Sequence, residues 1–513
     1  MTFKPLSMFK RIGITLALSG MYLTVPELVT GQKSDPLLFP VDNFTVETKV
    51  VKTSTGEKKV TYRSYMHIPY VANPVDKDYQ SMNVSVPIKV NDLAIDATNA
   101  PILFIIGVGG YMSVNNSRSG TGGFRGTPAG RQGGIPSATP GVPGRAPDKA
   151  ENLSDRQDLA LAAGYTIVSP GCRGRDNRNA DGTYYGKAPA AIVDLKAAVR
   201  YVRYNKGIFP GNTDMIISVG CSAGGALSAL LGTSGNSPLF DKYLKAIGAA
   251  DVNDNIFASA CFSPITDLEH ADIAYEWNYG TTPTRSGLVD QKLSGQLKAS
   301  FAEYQLSLKL QGKNGFGILT ADNYEKYLLK YFLFPSANKY LKSLTAENRK
   351  EYLEKNKWIN WSEAKGATFT FSDYVTHVGR MKGLPSFDDF DMKQAEPVLF
   401  GNESTDARHF TSFSLKHTTN NQDAEIDNEL KNIVNLMNAM YFAGLNNNGC
   451  AGYWWLRNGS RDNHTSQTVM VNLSTSLENH NKKVNSWVFW DGGHCADDDP
   501  EGFIEWIGKV TGF

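Results

Sequence analysis

Between residues 44 and 70 apolar and polar positions alternate on either side of Ser54-Thr55-Gly56-Glu57. This period of two predicts an antiparallel hairpin leading to Tyr62, Ser64, Met66 and Ile68. The alternation then stops. Ile102-Leu103-Phe104-Ile105-Ile106 is apolar throughout, as a strand buried on both faces of a parallel sheet requires. Runs of the same kind cover 165–168, 215–219, 256–260, 452–456 and 484–489. Between them the period changes: after Pro189, a favoured first-turn residue, Ile192, Leu195, Val199 and Val202 recur on one helical face. Strands alternating with amphipathic helices predict a doubly wound α/β fold with a mostly parallel central sheet.

Two stretches break the rhythm. Residues 268–423 are rich in Lys, Tyr, Leu and Trp with helical spacing at 324–332 and 340–353. They predict a large helical lid inserted into a sheet domain made of 32–267 and 424–513, with a helix over 425–443 leading back to the next strand. The Gly- and Pro-rich segment 107–148 predicts an irregular loop.

The first residues carry a different pattern. Lys4, Lys10 and Arg11 precede an uncharged span from Ile12 to Pro26, and small residues follow near Thr30 and Gly31. This is the layout of a signal peptide over 1–31, implying a secreted or periplasmic protein. The span is shorter than the roughly 20 apolar residues of a membrane-crossing helix.

Composition narrows the function classes. With 41% apolar and 20% charged residues the chain is an ordinary globular protein, not a disordered or polytopic membrane one. The formal charge of +1, from 52 basic and 51 acidic residues, supplies no field for nucleic acid or an anionic membrane surface.

Chemistry enters at Gly220-Cys221-Ser222-Ala223-Gly224-Gly225, which lies between the run 215–219 and a helical Ala-Leu pattern. Strand, tight turn and helix in that order match the nucleophile elbow of α/β-hydrolases, with Ser222 as nucleophile. A serine hydroxyl needs a general base, and that base needs an acid to fix its tautomer. In this fold the acid and the histidine follow later strands. His494, in Trp490-Asp491-Gly492-Gly493-His494, is the one histidine beyond the last run, and Asp462 follows the run before it. Asp491 and Asp267 are the alternative acids. Ala223 and the Gly109-Gly110 segment are the expected oxyanion-hole donors. Cys221 precedes the serine and Cys495 follows the histidine, so a Ser–His pair would bring both cysteines together as a disulfide. Cys172, Cys261 and Cys450 remain of undetermined state. No cofactor or metal is called for, and Asp497-Asp498-Asp499 reads as a solvated acidic turn.

The elbow, Gly171-Cys172-Arg173-Gly174-Arg175, the segment from Gly186-Lys187-Ala188-Pro189 to Asp194-Leu195-Lys196, and Arg380-Met381-Lys382 followed by Glu396 and Leu399-Phe400-Gly401 resemble bacterial tannases. These are α/β-hydrolases that cleave gallate esters. The resemblance implies a Ser222, Asp462 and His494 triad. It also implies a lid lysine and glutamate, fourteen residues apart, contacting the galloyl hydroxyls; Lys382 and Glu396 have that separation. Without the resemblance both would read as solvated lid charges. The Cys-Ser and His-Cys neighbours are similar to those of the fungal tannase and feruloyl esterase group, where they form a bridge. One position departs: the family has a second aspartate two residues after the acid, and here it is His464. The implied partner is a small phenolic ester, a gallate first and a hydroxycinnamate such as ferulate or chlorogenate as the alternative. A serine peptidase or an inactive binding module would be a different outcome.

Overall fold

The computed structural model describes residues 35–116, 153–445 and 448–513. The expected signal peptide and the Gly- and Pro-rich segment beyond Asn116 lie outside the described residues. Residues Pro36–Phe513 form one compact unit.

The hairpin is present as β1 (Thr45–Thr53) and β2 (Gly56–Pro69), with Thr53 opposite Gly56 across the two-residue turn Ser54-Thr55. β3 (Ser81–Val90), with the short β4 (Leu93–Ala94), extends this antiparallel edge. The apolar runs form β5 (Ile102–Ile106), β6 (Thr166–Pro170), β7 (Ile216–Cys221) and β8 (Ala258–Phe262), all but fully buried. In the insertion β9 (Gln311–Gly312) pairs with β10 (Gly317–Ile318), and β11 (Asn360–Ser362) with β12 (Gly366–Thr368). β13 (Tyr453–Gly459) and β14 (Lys483–Phe489) complete the main sheet.

The main sheet has the order β1-β2-β3-β6-β5-β7-β8-β13-β14. It is antiparallel up to β3–β6 and parallel from β6 onward. From β5 the chain steps outward to β6 and then returns to the other side of β5 as β7. Open α/β sheets bind ligands outside the carboxyl ends of the strands at such a reversal, which here falls between β5 and β7.

Helices deviate from the predicted ones where a capping side chain competes. The single helix expected over 425–443 is two, Asn428–Leu436 and Ala439–Gly444, because the Asn438 side chain accepts Met440 N–H at 2.8 Å and restarts the chain. Thr345 likewise separates Phe334–Ser343 from Ala346–Lys355 within the span 340–353. One hydrophobic cluster runs from sheet-domain residues such as Ile106 and Leu230 to Phe301, Tyr324 and Phe371 of the insertion, so the two share a core. No helix among the described residues is long and apolar enough to cross a membrane.

Candidate active site

The parallel strands end level with one another. Ile106 pairs with Gly220, Cys221 with Phe262, Phe262 with Arg457 and Gly459 with Phe489. Each candidate catalytic residue therefore stands a few residues past the same sheet edge.

Ser222 occupies the turn between β7 and the helix Ala223–Thr233, at φ 57° and ψ −123°. Such a backbone costs a non-glycine residue roughly 1–3 kcal/mol. The flanking glycines make it reachable: a Cβ on Gly220 would lie 2.3 Å from the Gly224 carbonyl oxygen. A Cβ on Gly224 would lie 2.8 Å from the carbonyl oxygens of Ile106 and Val108. That second close approach draws the loop after β5 onto the first turn of the helix, beside Ala223.

The acid and histidine loops are stitched together. Ser460 N–H donates to Phe489 O at 2.8 Å and Arg461 N–H to Gly492 O at 2.9 Å. His494 Nδ1 then lies 3.1 and 3.0 Å from the two oxygens of fully buried Asp462. Burial pushes that carboxyl up, but the charge and hydrogen bond of His494 outweigh it and hold the pKa at about 2. The alternative acids are engaged elsewhere. Asp491 accepts from Tyr352 Oη at 2.6 Å, and Asp267 from Asn438 Nδ2 and His270 Nδ1, both at 2.7 Å. No hydrogen bond joins the Ser222 hydroxyl to His494 in this conformation.

Cys221 and Cys495 form a disulfide with Cα atoms 5.8 Å apart across 274 residues of chain. It links the residue before Ser222 to the residue after His494. Among the described residues Cys221, His494 and Cys495 also form the one group with converging metal-type ligand atoms, and both of its sulfurs are committed to the bridge. Cys172, Cys261 and Cys450 are free thiols. Replacing Cys221 and Cys495 together by alanine is expected to lower stability by about 3–5 kcal/mol, since a cross-link over so long a loop strongly restricts the unfolded chain. Urea unfolding with the other cysteines intact reads that loss.

His464 stacks flat on His494, with ring centroids 4.0 Å apart and planes 10° from parallel, and the His464 backbone N–H donates to Asp462 Oδ1 at 3.0 Å. Burial, then the charges of His494 and Lys382, lower its pKa to about 4. The ring is thus neutral at ordinary pH.

Neither Lys382 nor Glu396 is an exposed lid charge: Lys382 is half-buried and Glu396 buried. Glu396 is 7% exposed, on the short helix Ala395–Leu399, and the Lys382 ammonium sits 3.4 Å above the Phe387 ring. Burial raises the Glu396 pKa and lowers that of Lys382, while the mutual attraction of the two opposes both shifts. Neither head group pairs with another side chain at hydrogen-bond distance among the described residues.

The residues that hold Lys382 in place are ones sequence reasoning missed. Arg380 donates to the carbonyls of Lys382 (2.8 Å) and Gly383 (2.6 Å) and is itself neutralised by buried Glu276. Tyr275 Oη accepts the N–H groups of Met381 and Lys382 and donates to Asn463 O at 3.0 Å, which ties the lysine loop to the loop carrying Asp462 and His464. The placement of Arg380 two residues before Lys382 was the available signal; nothing local marks Tyr275 or Glu276.

One expectation is corrected. Asp497-Asp498-Asp499 is a solvated acidic turn only in part: Asp498 is exposed, but Asp497 forms a 2.5 Å ion pair with Arg156 in which both side chains are 2% exposed. Asp499 caps the helix Pro500–Thr511 by accepting Gly502 N–H.

The chain as a whole has solved counterparts. The structure of Fusobacterium nucleatum tannase superposes with a TM-score of 0.76 at 35% identity, over 93% of this chain and 99% of that one. The chain belongs to the tannase family. Tannin acyl hydrolase from Lactobacillus plantarum matches at 30% identity and a TM-score of 0.77, again over 93% and 99% of the two chains. Structures of tannin acyl hydrolase with ethyl gallate and with 3,4-dihydroxybenzoate match over the same shares at 30% identity, with TM-scores of 0.76 and 0.75. The BD-FAE family model matches residues 147–303. Esterase LipC of Mycobacterium tuberculosis is 31% identical over 102 residues, 20% of this chain, and the match spans 22% of that esterase's length. Tannase-family membership places the chain among the carboxylic ester hydrolases of α/β-hydrolase fold.

Proposed function

We propose that this protein is a secreted tannase, a serine esterase that hydrolyses galloyl esters through an acyl-enzyme. The observation that carries the reading is the pair Lys382 and Glu396, a half-buried ammonium and a buried carboxylate without side-chain partners, in electrostatic reach of each other and, through Lys382, of Asp462 and His464. A charge withdrawn from water with few partners is costly unless a ligand supplies more. A trihydroxyphenyl ring does so, donating to the Glu396 carboxylate and accepting from the Lys382 ammonium.

In this reading the Ser222 hydroxyl oxygen attacks the ester carbonyl while His494 Nε2 takes its proton, and Asp462 holds the imidazole by Nδ1. Backbone N–H groups of Ala223 and of the loop after β5 stabilise the tetrahedral oxyanion. The alcohol leaves with the proton from His494. Water then attacks the acyl-serine by the same route, releasing the phenolic acid and restoring Ser222.

Lys382→Met and Glu396→Gln are each expected to lower kcat/KM for methyl gallate by about 10- to 100-fold, the weight of one charge-assisted hydrogen bond. The loss on 4-nitrophenyl acetate, which has no hydroxylated ring, should be much smaller. Relative rates on methyl gallate and methyl ferulate test the substrate class, and a preference for ferulate would overturn the gallate assignment. That second reading, a hydroxycinnamoyl esterase, draws support from His464, a neutral imidazole where the family places a carboxylate. Export is supported by the pattern of residues 1–31 and by the Cys221–Cys495 disulfide, a bond of oxidising compartments. Amino-terminal sequencing of protein recovered outside the cytoplasm tests it.

A further inference from the structure

The loop after β5 is held in a conformation its own residues disfavour. Gly110 has φ 53° and Tyr111 φ 57°, and Met112 N–H closes on the Gly109 carbonyl at 3.0 Å. Residues 109–112 therefore form a turn with two successive positive φ angles, a backbone that suits glycine and is costly for tyrosine. Something outside the turn has to hold it.

That support is the segment 172–176, which runs alongside 110–114. Val114 and Cys172 exchange backbone hydrogen bonds of 2.9 and 3.1 Å, and the Asp176 carboxylate accepts Ser113 N–H and Oγ at 2.7 and 2.8 Å. Gly174 passes so close that a Cβ would lie 2.1 Å from Ser113 N. The neighbouring Arg173 is fixed by its buried pair with Asp194 at 2.8 Å. At the end of this ladder Arg175 takes both remaining carbonyls of the turn: its Nε donates to Gly110 O at 2.7 Å, and its backbone N–H to Tyr111 O at 3.0 Å.

In a trans peptide the N–H points away from the C=O of the same plane. Pinning the Gly110 carbonyl thus aims the Tyr111 N–H in the opposite direction, as pinning the Gly109 carbonyl aims the Gly110 N–H. None of the N–H groups of Gly109, Gly110 and Tyr111 donates to a protein acceptor among the described residues. Gly224 has already drawn this loop against the helix that starts at Ala223.

We propose that Arg175 is a positioning residue that locks the 109–112 turn so that its free N–H groups face the oxyanion formed at Ser222. The proposal rests on the reading of Ser222 as the nucleophile but not on the identity of the ester. Arg175 is half-buried, and burial disfavours its charge, while Glu396, Asp176 and Asp406 favour it. Its cation therefore also lies beside the group proposed to grip the ring, and the experiment has to separate the two roles.

Arg175→Ala and Arg175→Lys in the full chain do so, with steady-state kinetics on methyl gallate and 4-nitrophenyl acetate and inhibition by gallate and by phenylboronic acid, which adds to a nucleophilic serine as a tetrahedral adduct. A loosened oxyanion turn should lower kcat on both esters by about 10- to 100-fold in Arg175→Ala, somewhat less than deleting a donor outright. KM should stay within about 3-fold, since only transition-state stabilisation is removed. Affinity for phenylboronic acid should fall in step with kcat, and affinity for gallate should not. An unchanged kcat on 4-nitrophenyl acetate would overturn the proposal. So would a loss confined to KM for methyl gallate and to gallate affinity, which would make Arg175 a ring ligand. If Arg175→Ala does not fold, Arg175→Lys, which keeps the charge but not the planar donor, carries the same comparison. Should the wild-type chain prove inactive on gallate esters, the substrate assignment fails, while the 4-nitrophenyl acetate and boronic acid measurements still decide the role of Arg175.

Discussion

Ser222→Ala is expected to reduce kcat for methyl gallate by a factor on the order of 10⁶, leaving only the contribution of binding and the oxyanion donors. The side chain to be removed is small, so the fold should survive. Its backbone, at φ 57° and ψ −123°, lies where glycine is at ease and other residues are strained. Ser222→Gly should therefore be as inactive as the alanine variant and yet more stable than the wild type, by about 1–2 kcal/mol. Hydrolysis assays and thermal unfolding on the three proteins check both halves. A Ser222→Ala enzyme with substantial activity would remove the serine mechanism. A Ser222→Gly enzyme no more stable than the wild type would mean that the elbow stores no strain.

The elbow was readable because its signal is local: glycines, a preceding apolar run and a following helix sit within a dozen residues. The parallel strands were readable for a similar reason, since burial on both faces keeps the central runs largely apolar. Four of their observed ends lie two or three residues beyond the predicted ones, as with Arg457-Asn458-Gly459 in β13. The pairing of Asp462 with His494 was anticipated from chain order, and the disulfide from their neighbours, while their catalytic roles remain the proposal. What escaped depends on partners distant in sequence. The burial of Asp497 is decided by Arg156, and the hold on Lys382 by Glu276 and Tyr275, in pairings more than one hundred residues apart. Lys382 and Glu396 illustrate the same limit from the other side. As isolated charges they read as solvated, and only the resemblance assigned them a role, because the burial of Glu396 and the partial burial of Lys382 are properties of the folded chain.

Asp462→Asn is the second large effect, an expected fall of about 10⁴ in kcat with the geometry of the site nearly unchanged. In the proposed mechanism the carboxylate accepts from His494 Nδ1, 3.0 Å away, and Nε2 is then the nitrogen left to take the serine proton. An asparagine amide would favour the opposite tautomer and offer no charge to the imidazolium that forms during attack. The orientation of the ring has other supports, the stacked His464 and the disulfide at Cys495, so the loss should lie in kcat more than in KM. Stability should change in a defined pH window. Because the folded pKa of Asp462 is depressed, to about 2, its contribution is present above the unfolded value of 3.8 and is lost as pH falls toward 2. That contribution is on the order of 2 kcal/mol. The stabilities of wild type and Asp462→Asn should accordingly differ most near neutral pH and converge in acid. Urea unfolding between pH 2 and pH 7 reads that convergence, and a difference that persists unchanged at pH 2 would show that the carboxylate is not held ionised by His494.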